Sequence, residues 1–386
     1  YFYINNKASV TMYDLILKQA KLIDGKVVDI AVANGKIAEI GSVSLPAKKS
    51  IDLAGKHFVS AGWIDAHAHV FELSPIYHDE PDLAGVAAGV TTVIDAGSVG
   101  ADEIDRFYQI TCNVKTNVYA FLNISRIGVI RQNELADKAD IDQKLFEEAM
   151  AKHPDFIVGL KARMSKSVVG ENGITPLVRA KEMQKKTGLP LMIHIGNNPP
   201  DLDDIADLLT KGDIITHCFN GKPNRILNQE NTIRDSIMKA LSRGVVLDVG
   251  HGGESFSFKV AERAKELGIY PMTISSDIYS KNRLNGPVYS LANVMTKFLC
   301  IDYTKQQILD CVTSHAAEML HLKNKGQIKV GFDADFTIFD ILPETITLSD
   351  SEGTKRESKE KFVPLAAIVA GETIVTKEGE ENGLSL

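Results

Sequence analysis

The sequence predicts an α/β protein, a (β/α)8 TIM barrel carrying a small β-sandwich domain built from the two ends of the chain. Between residues 61 and 323, eight short apolar runs alternate with helical stretches. Before and after that region the texture is short strands and tight turns. The chain has 386 residues, 44% of them hydrophobic, enough for one large core and a smaller companion.

Residues 1–11 lack a charged start followed by an apolar stretch. They are read as an expression remnant or an upstream extension, with a natural beginning at Met12. In residues 12–60, Asp24-Gly25 and Asn34-Gly35 are hairpin turns between alternating segments. Residues 324–386 return to strands, such as Asp335 to Phe339 and Ala367 to Val375. The two segments are expected to pair into the small β domain. Within it, residues 350–361 are rich in Ser, Lys and Glu and are read as a solvated loop.

Residues 61–323 form the expected catalytic barrel. Its candidate strands are 63–67, 90–95, 117–123, 156–161, 189–195, 213–217, 245–249 and 271–276. Several are nearly all apolar, as in strands buried on both faces. Thr175-Pro176 opens a helix that Gly188 ends, and Ser257 opens another that Gly268 ends.

A net charge of −7 gives no nucleic-acid or anionic-membrane footprint, and no apolar run is long enough to span a bilayer. The four cysteines form no C-x-x-C pair, which fits a reduced, cytoplasmic protein. The expected partner is a small molecule; a homo-oligomer remains open.

The sharpest local signal is Asp65-Ala66-His67-Ala68-His69. Two histidines two apart on a strand share a face, at the strand end where barrels keep their chemistry. Such a pair suits a divalent metal, although alone it fits two ordinary histidines equally well. Other ligand types recur at strand ends: Lys161, His194, His217 and Asp277. Lys161 is the odd member, because an ammonium cannot bind a metal. Its neutral amine can take up CO2 as a carbamate, whose two oxygens can bridge two cations; a lysine paired with a carboxylate is the other reading.

Asp65-x-His67-x-His69, Lys161, His194, His217 and Asp277, in that order, resemble the amidohydrolase superfamily. So do the opening Tyr13 to Lys18 with Ile23-Asp24-Gly25 and the closing Gly326-x-Ile328-x-x-Gly331-x-Asp333-Ala334-Asp335. The lysine pattern is similar to the binuclear branch shared by dihydroorotases and related deacetylases. The resemblance implies one metal, expected to be Zn2+, on His67, His69, Lys161 and Asp277. It implies a second on carboxylated Lys161, His194 and His217, with a bridging hydroxide as nucleophile and Asp277 as the catalytic proton carrier. Thr313-Ser314-His315-Ala316 departs from the Asn-Pro of many relatives, after the eighth strand, with no catalytic effect expected.

For the substrate, dihydroorotases usually carry an arginine two residues after the second histidine, where this chain has Phe71. Arg163 and Arg225 are candidate replacements, though either could be a solvated charge. Asn220, His251 and Tyr279 are further candidate contacts. The stretches around His251 and Tyr279 resemble a deacetylase-like subgroup often labelled dihydroorotase or adenine deaminase. Adenine deaminase proper does not typically use the bridging lysine. The expected reaction is hydrolysis of an N- or O-acyl group on a small carboxylate-bearing compound. Alternatives are a dihydroorotase-type cyclic amidohydrolase, an adenine deaminase-type aminohydrolase and a non-catalytic barrel scaffold, which would be expected to have lost metal ligands.

Overall fold

The computed structural model describes residues 11–384, so the expectation for residues 1–10 lies outside the described residues. The barrel strands are β6 (Trp63–Ala68), β7 (Val90–Ala96), β8 (Asn117–Asn123), β9 (Ile157–Arg163), β10 (Leu191–His194), β11 (Ile214–Thr216) and β12 (Val246–Leu247). They pair in parallel in chain order. The predicted eighth strand is not a regular one. Its segment still closes the ring: Val249 N–H donates to Thr273 O (3.1 Å) on one side and His69 N–H to Ile278 O (2.9 Å) on the other. Regularity fails because Ile274 N–H turns to Cys311 O and Asp277 leaves the extended region at φ 51°.

Residues from six strands, among them Ile64, Ile94, Phe121, Val158, Met192 and Ile214, join Ala316 and Met319 in a single apolar cluster. It fills the barrel below the strand ends. A larger cluster lies between strands and surrounding helices. Helices Thr175–Lys185 and Phe258–Glu266 occupy the expected places, and the Ser257 hydroxyl caps the second by accepting from Val260 N–H.

The small domain is one eight-stranded sheet formed by both chain ends. Its strands are β1 (Tyr13–Lys21), β2 (Val27–Ala33), β3 (Lys36–Gly41), β4 (Ala47–Asp52), β5 (Phe58–Ala61), β13 (Phe336–Leu342), β16 (Lys361–Val369) and β17 (Glu372–Val375). The two ends of the chain meet where β5 pairs antiparallel with β13. Leu17, Ile30, Ile51 and Val59 share a core with Phe336, Ile338, Leu365 and Ile368, so the sheet encloses its own interior.

The solvated loop expected at 350–361 is instead half of a hairpin, β14 (Ile346–Ser349) with β15 (Lys355–Ser358). Its turn is anchored. Buried Asp350 accepts from the backbone N–H groups of Phe258, Glu352 and Thr354. Ser351 N–H donates to Phe256 O, and its hydroxyl to Gly252 O. Charged residues face outward while the backbone docks, which composition does not reveal.

The four cysteines are unpaired. Among the described residues no helix is long and apolar enough to cross a membrane.

Candidate active site

A cavity of about 370 Å³ opens at the C-terminal ends of the barrel strands. His67, His69, Lys161, His194, His217 and Asp277 all line it, as do Arg163 and Tyr279. β6 delivers His67 and its continuation delivers His69, while β9 presents Lys161 and Arg163 and β10 ends on His194. His217 and Asp277 follow their strands in left-handed backbone, at φ 59° and 51°. That conformation costs on the order of 1–3 kcal/mol in a non-glycine residue and persists only where surroundings enforce it.

Asp277 Oδ1 lies 3.1 Å from both His67 Nε2 and His69 Nε2, and Oδ2 lies 4.0 Å from His217 Nε2. Ligand atoms of His67, His217 and Asp277 fall within 4.8 Å of one another. The His194 ring stands perpendicular to that of His217 at 4.7 Å. Among the described residues, buried His67 Nε2 makes no hydrogen bond, although Asp277 Oδ1 lies 3.1 Å away. An orphaned imidazole nitrogen facing a carboxylate and other imidazoles fits a divalent cation.

Burial holds His217 down to about 3 and His194 well below the usual histidine range, and it lowers His69. These three rings are therefore neutral, the form that binds metals. His67 behaves oppositely: burial and Lys161 pull it down, but Asp277 and Asp248 outweigh them. For Asp277, burial is outweighed by His67 and His69, which keep the carboxylate well below its ordinary value. Burial brings Lys161 down to about 8, raising the share of neutral amine. Its Nζ donates to Ala96 O at 3.0 Å, and it makes no salt bridge among the described residues. Gly97, at φ 83°, leaves the space it needs: a Cβ there would sit 2.6 Å from Lys161 Cγ.

Arg163 reaches the cavity from a buried ion pair. Its Nε and Nη2 donate to Glu134, which is fully buried, and Nη2 also donates to Gln132 O. The guanidinium lies 6.0 Å from the Tyr77 ring centre, and Tyr77 meets Tyr279 edge-on at 5.0 Å. Phe71 packs against Phe107 in the core, away from the cavity.

Three predicted contacts lie elsewhere. Arg225 lines a separate surface cavity of about 640 Å³ with Arg234, Asp201 and Asp203, which holds none of the histidines or Lys161. Asn220 is buried in the turn after His217, donating to His217 O and accepting from Lys222 N–H. His251 is buried behind the cavity, where its Nδ1–H donates to Gly252 O and its Nε2 accepts from Lys297 Nζ at 2.8 Å.

Lys297 is itself fully buried and also donates to Pro287 O. Burial brings it down to about 7 from 10.5, against the opposing pull of Asp350 and Cys300. The unfolded chain therefore holds a proton that the folded protein has released between about pH 7 and 10.5. Lys297 thus makes stability rise with pH across that window. Urea denaturation at several pH values should reveal this rise as a difference between wild type and Lys297→Met. Parallel curves for the two proteins would contradict it.

Sequence reasoning missed Tyr77, Gln132, Lys222 and Glu254, which also line the cavity from loops, and Ser167, which lines it from the short helix Lys166–Val169. It missed Glu134 as well. Asp95, in Asp95-Ala96-Gly97-Ser98 at the end of β7, did carry the strand-end signal of the others.

Residues 328–374 match a family model described as a deacetylase-like composite domain. A deacetylase of Enterococcus faecalis is 48% identical over 363 residues, covering 93% of this chain and 98% of its own. A deacetylase of Agrobacterium fabrum is 36% identical over 347 residues, covering 88% and 85%. A crystal structure called an adenine deaminase superposes with a TM-score of 0.93 at 47% identity, covering 94% of this chain and all of the other. One called a dihydroorotase gives 0.86 at 35%, covering 94% and 98%. Barrel, cavity and relatives together define a hydrolytic enzyme of the amidohydrolase superfamily, as the sequence motifs implied. Within that superfamily the chain belongs to the deacetylase-like family.

Proposed function

We propose that this enzyme removes an acyl group from the nitrogen or oxygen of a small carboxylate-bearing compound, using two zinc ions held in the cavity. One ion would be held by His67, His69, Lys161 and Asp277, the other by Lys161, His194 and His217, with Lys161 as its CO2-derived carbamate. When bound, such ions activate water at neutral pH and polarise the carbonyl under attack.

The Asp277 carboxylate, held ionised among the histidines, accepts the water's proton and returns it to the departing nitrogen or oxygen. The Tyr77 and Tyr279 rings form an apolar wall beside the substrate. Arg163 receives the substrate carboxylate, since none of its hydrogen bonds among the described residues uses Nη1. That cation, on the same cavity as the histidines and Asp277, is the observation that carries the reading. The relatives named deacetylase support the acyl chemistry.

A cyclic amidohydrolase of the dihydroorotase type is the second reading, favoured by the solved relative of that name. Core burial of Phe71 speaks against it, because a first-strand grip on the ring carboxylate is missing. The relative called an adenine deaminase makes adenine a necessary member of any substrate panel.

Purified, zinc-loaded protein should hydrolyse at least one N-acetyl amino acid or O-acetyl hydroxy acid and leave dihydroorotate and adenine largely untouched. Dialysis against a chelator should abolish turnover, and zinc should restore it. Rapid dihydroorotate turnover with a silent acyl panel would reverse the ranking. Full activity in metal-free protein would remove the mechanism.

A further inference from the structure

Two of the four cavity histidines are backed by the same arrangement. His69 Nδ1 lies 2.8 Å from Ser98 Oγ, which lies 2.8 Å from Asp95 Oδ2. His67 Nδ1 lies 2.8 Å from Thr216 Oγ1, which lies 2.7 Å from Asp248 Oδ2. Both carboxylates are fully buried. Asp95 also accepts from Val70 and Ser98 N–H, and Asp248 from the hydroxyls of Thr273 and Ser275.

An ionised carboxylate only accepts, so the Ser98 and Thr216 hydroxyls must donate to it. Each hydroxyl then offers its imidazole lone pairs alone, and the imidazole must donate from Nδ1. In the neutral ring the lone pair is then on Nε2, which on both histidines lies 3.1 Å from Asp277 Oδ1. The other two histidines differ. His217 Nδ1–H donates to the Gly250 carbonyl at 2.6 Å, and His194 Nε2 meets the Ser165 hydroxyl at 3.1 Å.

We propose that Ser98–Asp95 and Thr216–Asp248 are positioning relays that fix His69 and His67 as Nδ1–H tautomers and make the metal position they serve the tighter of two. The proposal rests on the two-metal reading above. An imidazole whose far N–H is drawn toward a carboxylate is a better-oriented and more electron-rich ligand than one facing a neutral acceptor. The packing around the Thr216 relay is close. A Cβ on Gly250, at φ 48°, would fall 2.4 Å from Thr216 Oγ1 and 2.9 Å from His67 Nδ1.

Zinc titration against a competing chelator tests this without turnover. Wild type is expected to bind two ions with unequal affinity. Ser98→Ala and Thr216→Val should each weaken the tighter position by roughly 10–100-fold and leave the weaker one within a few-fold. Ser98→Thr and Thr216→Ser retain the hydroxyl and should restore tight binding. Nitrogen-15 NMR of metal-free wild type, recorded at a pH high enough for both rings to be neutral, should find the remaining proton of His67 and His69 on Nδ1. Wild-type affinity at both positions in the alanine and valine variants, or Nε2–H tautomers, would overturn the proposal. If wild type binds no zinc, the two-metal reading and the affinity difference both fail, while the NMR result still decides the relays.

Discussion

Asp277→Asn is expected to lower kcat on an acyl substrate by roughly 10²–10⁴-fold, the usual worth of a positioned proton carrier. Asparagine is the informative replacement. It matches aspartate in volume and shares its tolerance of left-handed backbone, so residue 277 can keep its φ of 51°. What it loses is the ability to take a proton, and with it one negative charge beside His67 and His69. Metal content should be determined on the same preparation, because Asp277 is also a proposed ligand. Turnover within a few-fold of wild type in a fully loaded variant would remove Asp277 from the proton path.

Arg163→Met should destabilise the protein by about 3–5 kcal/mol, because it strands the Glu134 carboxylate in the interior. The single variant therefore cannot report cleanly on substrate binding. Pairing it with Glu134→Gln removes the orphaned charge, and urea denaturation should find most of the stability restored. The double variant should still bind an anionic substrate poorly, with KM raised about tenfold or more from loss of a charge-assisted contact. A single variant as stable as wild type would refute the ion-pair argument. An unchanged KM in the stable double variant would free Arg163 from any role with substrate.

The barrel and the residues at its mouth were legible because most strands are short apolar runs with a polar residue at or just past the end. His194, His217, Lys161 and Asp277 all occupy that position, and parallel pairing aligns such ends on one rim. Spacing could not separate residues of the rim from residues just behind it. His251 and Asn220 carry the same strand-end signature but turn into the protein and bond to Lys297 and to the backbone. Arg225 sits on a loop whose path no periodicity fixes, and that path leads to another cavity. Glu134 and Tyr77 lie on long connections and become neighbours of Arg163 only through the fold. The eighth strand was expected as one more short run between helical stretches; the left-handed turn at Asp277 is invisible in composition.

The hairpin of β14 and β15 ties the cavity to a late part of the chain. Its turn holds Gly252, Phe256 and Phe258, the stretch that presents Glu254 and Ser255 to the cavity. During synthesis the barrel's last proposed ligand, Asp277, leaves the ribosome some seventy residues before this clasp does. A nascent chain would thus own every proposed ligand while its mouth was still unfastened. An engineered barrel ending near residue 323 would stay in that condition permanently, so the two modules are a poor choice for separate expression or for swapping between relatives.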